Sequence, residues 1–166
     1  MSRGGGHRQV VGLVWASRGT SPWGLRVPRS GGAKAQGRRY EKALARVLGS
    51  DFEWGPWFSF RDVNGPGNCQ PDFVLVGTRS VLVLEAKYTW TTAARSQIDR
   101  LYRPVLERAL GLPVLGVAVC RVLTPAAPTP SGSLAGAVDM SRKSGFAVIH
   151  WIGTGPLGGQ AQQHAA

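Results

Sequence analysis

The chain is predicted to fold as an α/β domain, a central mixed β-sheet flanked by helices with core elements in the order α-β-β-β-α-β. Three observations predict it. Two apolar runs, 73–76 and 81–84, flank the turn-forming Gly77-Thr78-Arg79-Ser80 and read as an antiparallel hairpin. Apolar side chains recur at helical spacing over residues 35–48 and again over 93–110. A third apolar run, 114–123, follows the second helix, as a parallel strand reached by a helical crossover does, and is apolar enough to be buried on both faces.

Length and charge bound the answer further. At 166 residues the chain suits one domain with a real core. Its 20 Lys and Arg against 9 Asp and Glu give a formal charge of +11, which favours nucleic acid or another anionic partner. A GC-rich genome, which favours Arg, Gly and Ala, is the alternative source of that balance. Cys69 and Cys120 form no CxxC pair or metal-ligand spacing, so neither a zinc site nor a disulfide framework is expected, and an intracellular, cytoplasmic setting fits. The run 10–16 is too short for a secretory signal, and no stretch approaches a membrane span. Residues 1–40 hold eight basic residues and no acidic one, a composition shared with organelle transit peptides, although the glycines oppose a regular amphipathic helix there.

In order along the chain, residues 1–33 read as a basic, loosely ordered arm broken by Ser21-Pro22, Val27-Pro28 and Gly31-Gly32, with room for a short strand over 10–15. Its arginines offer phosphate contacts; a solvated tail without a role is the other reading. The domain proper spans 34–153. Its first helix, 35–48, buries Tyr40, Ala43, Leu44, Val47 and Leu48 and stops at Gly49. Glu41 falls at the edge of that stripe, beside Leu44, Ala45 and Leu48, or else pairs at the surface with Arg38, Lys42 or Arg46. Arg29, Lys34, Arg38 and Arg95 are the cations expected to contact nucleic acid.

Residues 52–62, dense in Phe and Trp, read as a strand that pairs with the hairpin and is interrupted by a bulge or edge break at Gly55-Pro56. Its aromatics belong to the core or, singly, stack on bases. Residues 62–68, with Asn-Gly, Gly-Pro and Pro-Gly steps, read as a turn or flexible loop. The second helix runs from about 93 to 110, buries Ile98, Leu101, Val105, Leu106 and Ala109, bends at Pro104 and ends at Gly111. Residues 124–136 read as a linker, 146–152 as a strand that extends the sheet, and 154–166 as a disordered tail.

The hairpin carries the chemistry. Pairing centred between Thr78 and Arg79 sets Val76 opposite Val81 and Asp72 opposite Glu85, a cross-strand spacing of roughly 4.5–5.5 Å between Cβ atoms at which two carboxylates repel. A divalent cation resolves that repulsion. Alternation puts Lys87 on the face of Glu85, with Leu82, Leu84 and Ala86 on the other. The structural alternative is a half-buried hairpin with a Glu85–Lys87 edge pair and Asp72 as a turn cap after Pro71. That arrangement buries charges in need of compensation. His7, His150 and His164 lie in tails or far from the hairpin and are not expected to act as ligands or bases.

Pro71-Asp72, twelve intervening residues and Glu85-Ala86-Lys87 together resemble the signature of the PD-(D/E)XK nuclease superfamily, over about residues 36–122. The resemblance implies a restriction-endonuclease-like core and a metal-dependent DNA nuclease, such as the endonucleases of DNA repair, recombination, restriction or phage DNA processing, encoded by a bacterium or phage. It implies Mg²⁺, with Mn²⁺ able to substitute, held by Asp72, Glu85 and the Ala86 carbonyl. Lys87 would orient or deprotonate the attacking water, Glu41 would extend the metal shell or hold a second ion, and Gln97 would position water or phosphate. Homodimers are common in such families. The exonuclease-like branch sets a glutamine and a tyrosine four residues apart on the second helix; here Gln97 and Tyr102 are five apart, so the resemblance carries Gln97 alone. The alternative from a different class is a non-catalytic nucleic-acid-binding protein on a nuclease-like fold.

Overall fold

Tyr40 and Leu44 bury against the sheet and define the inner face of α1 (Gly32–Leu48), in a computed structural model that describes residues 15–17 and 32–157. The stripe closes with Leu48, partly buried, whereas Val47 is 40% exposed. After α1 come β2 (Glu53–Trp54), β3 (Trp57–Asp62), β4 (Gly65–Cys69), β5 (Phe73–Val76) and β6 (Val81–Thr89). They follow β1 (Trp15–Ser17), which precedes α1. The second helical region is α2 (Thr92–Gln97), a π-helical turn (Ile98–Tyr102) and α3 (Arg103–Leu110), and β7 (Val114–Val122), α4 (Leu134–Ser144) and β8 (Phe146–His150) complete the domain.

The protein is α/β, with a mixed five-stranded sheet in the order β2-β5-β6-β7-β8. Strands β2, β5 and β6 are antiparallel neighbours, and β6, β7 and β8 run parallel. The hairpin register is Phe73 opposite Leu84 through Val76 opposite Val81, as expected, so Asp72 lies one step beyond its end, at the level of Glu85. Alternation divides the core between the two faces of the sheet. Leu82 and Leu84 pack with Tyr40 and Leu44 of α1 and Ala137 of α4. Val81 and Val83 pack with Ile98, Tyr102, Val105 and Leu106. The run 114–120 is buried throughout, as a central parallel strand covered on both faces requires.

Several sequence expectations are corrected. Residues 52–62 do not form one strand. Gly55 takes a positive φ and Pro56 has no N–H, so the chain leaves the main sheet after β2, and β3 joins a separate sheet in the order β1-β3-β4. Only β2 pairs with the motif hairpin. Residues 65–68, expected as part of a loop over 62–68, belong to strand β4, because pairing with β3 from Phe58–Cys69 to Asp62–Gly65 overrides the poor strand propensity of Gly, Pro and Asn. The Asp62 carboxylate closes the turn by accepting from Asn64 N at 2.8 Å.

The arm is not wholly separate from the domain, since β1 pairs with β3 through Trp15–Ser59, Ala16–Phe58 and Ser17–Trp57. This strand sits at the end of the expected 10–15 segment; the rest of that segment, and Arg29, lie outside the described residues. Helix α4 begins within the stretch expected as linker, at Leu134, where Ser133 caps it by accepting from Gly136 N at 3.0 Å, and Gly145 ends it. Residues 154–157 are not a detached tail: Leu157 packs on the core and the Gly155 carbonyl accepts from Trp151 Nε1 at 3.0 Å. Residues 158–166 lie outside the description. Among the described residues no helix is long and apolar enough to cross a membrane.

The second helix is continuous from 92 to 110 but irregular, and the irregularity lies upstream of Pro104 rather than at it. Arg103 N–H reaches back five residues to the Ile98 carbonyl, and the next residue, Pro104, has no N–H to offer. A widened turn there accommodates the missing donor. Ile98, the first residue of that turn, rests on β7 at Gly116, where a Cβ would lie 2.4 Å from Ile98 Cγ2. Gly116→Ala is therefore expected to force the helix off the sheet, lowering stability by about 1–3 kcal/mol, the usual cost of overpacking. A denaturant titration checks this; a midpoint equal to the parent's would show that the contact yields freely.

Candidate active site

The site forms where β5 begins and β6 passes it. Asp72 precedes β5, and its Oδ2 accepts a hydrogen bond of 2.8 Å from Ala86 N, which ties its carboxylate to the backbone between Glu85 and Lys87. Glu85 points to the face covered by the second helical region and is 2% exposed. Its Oε1 accepts from Lys87 Nζ at 2.7 Å, while Oε2 is buried and takes no hydrogen bond of ordinary geometry, with the Tyr102 hydroxyl near enough to favour the charged carboxylate. A buried carboxylate oxygen without a well-formed hydrogen bond is costly, so a further positive or donating group at this position would be stabilising.

Burial is the largest influence on both carboxyls. It pushes Asp72 well above the ordinary carboxylate range, assisted by the charges of Glu85 and then Glu41, against the Ala86 hydrogen bond and Lys87. Glu85 is likewise raised by burial, with Lys87 the main opposing influence. For Lys87 burial acts downward, but the neighbouring Glu85 charge, its hydrogen bond and Asp72 together prevail and raise it, so the ammonium persists at neutral pH.

The helix contributes from above. Lys87 Nζ lies 3.5 Å from Gln97 Oε1, Gln97 Nε2 donates to Tyr102 Oη, and Tyr102 Oη donates to the Gln70 carbonyl at 3.1 Å. This chain runs from the ammonium to the backbone just ahead of Asp72. The spacing of five between Gln97 and Tyr102 is reconciled by the π-turn. In a regular α-helix, at about 100° per residue, positions five apart diverge, whereas one extra residue in the turn returns them to one side. Tyr102, whose spacing departs from that pattern, is thus part of the constellation, and Pro104 was the available signal, since a proline within a helix removes one hydrogen bond and crowds the preceding turn.

Glu41 is half-buried on α1, and its Oε1 accepts from Trp54 Nε1 at 2.7 Å. Its charge bears on both Asp72 and Glu85, but among the described residues no three His, Cys, Asp or Glu side chains are gathered as a metal-binding group. Trp54 as its holder was not foreseen; the indole is 54% exposed and stacks on Phe73 at 6.3 Å between centroids. Lys34 and Arg38 are exposed on α1. Arg95, exposed on α2, pairs with Asp99 at 3.4 Å and lies 5.5 Å from the Phe146 ring centroid. His150 is exposed, its Nε2 2.8 Å from the Arg121 carbonyl. Scanning the chain against family models gives no match, and neither does a search of curated proteins.

Proposed function

We propose that this chain is a metal-dependent nuclease that hydrolyses DNA phosphodiester bonds on a restriction-endonuclease-like core. The observation that carries the reading is the meeting of Asp72 and Glu85, with Lys87 hydrogen-bonded to one Glu85 oxygen and the other oxygen buried without a hydrogen bond of ordinary geometry. That oxygen, and the repulsion that helps raise Asp72, fit a divalent cation, with Asp72, Glu85 and the Ala86 carbonyl as oxygen donors and water completing the shell. When bound, Mg²⁺ or Mn²⁺ supplies charge neutralisation at the phosphate and a lowered pKa for water.

The residues of the chain do the rest. Lys87, held as an ammonium, donates to Glu85 and stands ready to donate to a phosphate oxygen as negative charge grows on it. Gln97, anchored through Tyr102 to the Gln70 carbonyl, fixes where that ammonium points. Glu41, held by Trp54, adds negative potential that favours cation binding. Cleavage of single-stranded, duplex and branched DNA, and of RNA, with and without Mg²⁺, tests the reading. Metal-dependent cleavage is expected. Undiminished cleavage in excess chelator would refute the metal role, and binding without cleavage under every condition would favour the non-catalytic alternative.

The arm is expected to add affinity without chemistry. Because β1 belongs to a sheet, the informative deletion is 1–14, which removes Arg3 and Arg8 and leaves β1 in place. Affinity should fall and the slope of log K against log salt should flatten by about 0.9 per lost phosphate contact on duplex DNA. Binding measured over a salt series checks it, and an unchanged slope would make this stretch a passive tail.

A further inference from the structure

A cavity opens on the opposite face of the sheet from the carboxylates, between α1 and the carboxyl ends of β6 and β7. It encloses about 300 Å³ and is lined by Gln36, Arg39, Tyr40, Ala43, Tyr88, Arg121 and Gly153. Tyr88 follows Lys87 directly, and strand alternation turns the two side chains to opposite faces. From α1 the lining residues fall at i, i+3, i+4 and i+7, one helical face. Parallel strands in open α/β sheets commonly seat ligands beyond their carboxyl ends.

The chemistry of the lining is specific. None of the seven residues is acidic, and two are arginines, both exposed. The Arg121 guanidinium lies over the Tyr88 ring, 5.5 Å from its centroid, and Tyr40 meets Tyr88 edge-on at 6.0 Å. Tyr40 is itself held by donating to the Trp151 carbonyl at 2.8 Å. Gly153 turns the chain at the rim with φ +96°, a conformation that other residues rarely adopt, beside Arg121 Nη1. The cavity therefore presents two forked cations, an aromatic–guanidinium stack and an amide in a space at the small end of ligand-binding sites.

We propose that this cavity is a nucleotide-binding subsite, with the phosphate held by Arg39 and Arg121, the base stacked on the Tyr88–Arg121 pair, and Gln36 available to a base edge. The unit bound is a nucleoside monophosphate, free or within an unpaired strand. The subsite stands whether or not the carboxylates on the other face hydrolyse anything, so binding is measured on the full chain in excess chelator, where cleavage plays no part.

Calorimetric titration with 5′-thymidine monophosphate, inorganic phosphate and an eight-residue oligothymidylate tests it. The mononucleotide should bind one to one, and R39Q and R121Q, at exposed positions, should each weaken it about tenfold or more, the loss expected of a charge-assisted hydrogen bond. Tyr88→Leu should weaken the mononucleotide but leave inorganic phosphate unchanged. Displacement of the mononucleotide by the oligonucleotide would assign the subsite to a strand, and failure to displace it would assign it to free nucleotide. Absence of mononucleotide binding at millimolar concentration, or affinity unaltered in R39Q and R121Q, would overturn the proposal. A Tyr88→Leu protein that binds the mononucleotide like the parent would reduce the cavity to a bare anion site and overturn it equally.

Discussion

Lys87→Ala is expected to lower single-turnover cleavage by about 10² to 10⁴ while leaving DNA affinity near that of the parent. The loss of a positioned charge-stabilising or proton-transferring group costs rate on that scale. One cation among many contributes little to binding dominated by phosphate contacts. Lys87→Arg should fail almost as badly. Nζ occupies a narrow position, 2.7 Å from Glu85 Oε1 and 3.5 Å from Gln97 Oε1, which a planar guanidinium on a longer stem does not reproduce. If Lys87 only compensated Glu85, arginine would substitute well and alanine would lower the melting temperature without a selective loss of rate. Cleavage and binding measured on both variants separate these outcomes, and an arginine variant of near-parent rate would refute the catalytic role.

Asp72→Asn should abolish metal-dependent cleavage and make the metal-free protein more stable at neutral pH. Asparagine keeps an oxygen to accept from Ala86 N, so the backbone tie survives, while the charge that repels Glu85 is gone. The sign of the pH effect follows from the raised carboxyls. Between the ordinary carboxylate pKa of about 4 and their higher folded values, the folded chain retains protons that the unfolded chain has released, so stability falls as pH rises through that window. Below the unfolded value the penalty is absent, and above the folded values it is complete. Asp72→Asn should flatten that slope and raise Tm by about 2–4 °C for each kcal/mol of repulsion removed. Magnesium should stabilise the parent and leave Asp72→Asn nearly unmoved. Melting curves from pH 4 to 9, with and without Mg²⁺, check all three statements, and a variant less stable than the parent at pH 8 would contradict the repulsion argument.

The sequence by itself determined the hairpin and, with it, the meeting of Asp72 and Glu85. A short turn between two strongly apolar runs leaves one register that buries both, and side-chain alternation then assigns Glu85 and Lys87 to a common face. The α/β class, the strand at 114–122, buried as far as Cys120, and the helix stripe through Tyr40 and Leu44 were legible for the same reason: their apolar patterns are local and strong. Tertiary structure decided the path of 52–69, where pairing of β3 with the adjacent β4 and with the distant β1 overruled the weak strand propensity of 65–69 and drew both strands into a second sheet. It decided that Glu41 is held by Trp54, a contact across 13 positions that no periodicity encodes. It decided, too, that Tyr102 joins Gln97. Counting along an ideal helix separates the pair, and only the π-turn ahead of Pro104, settled against Gly116 of the neighbouring strand, brings them to the same side.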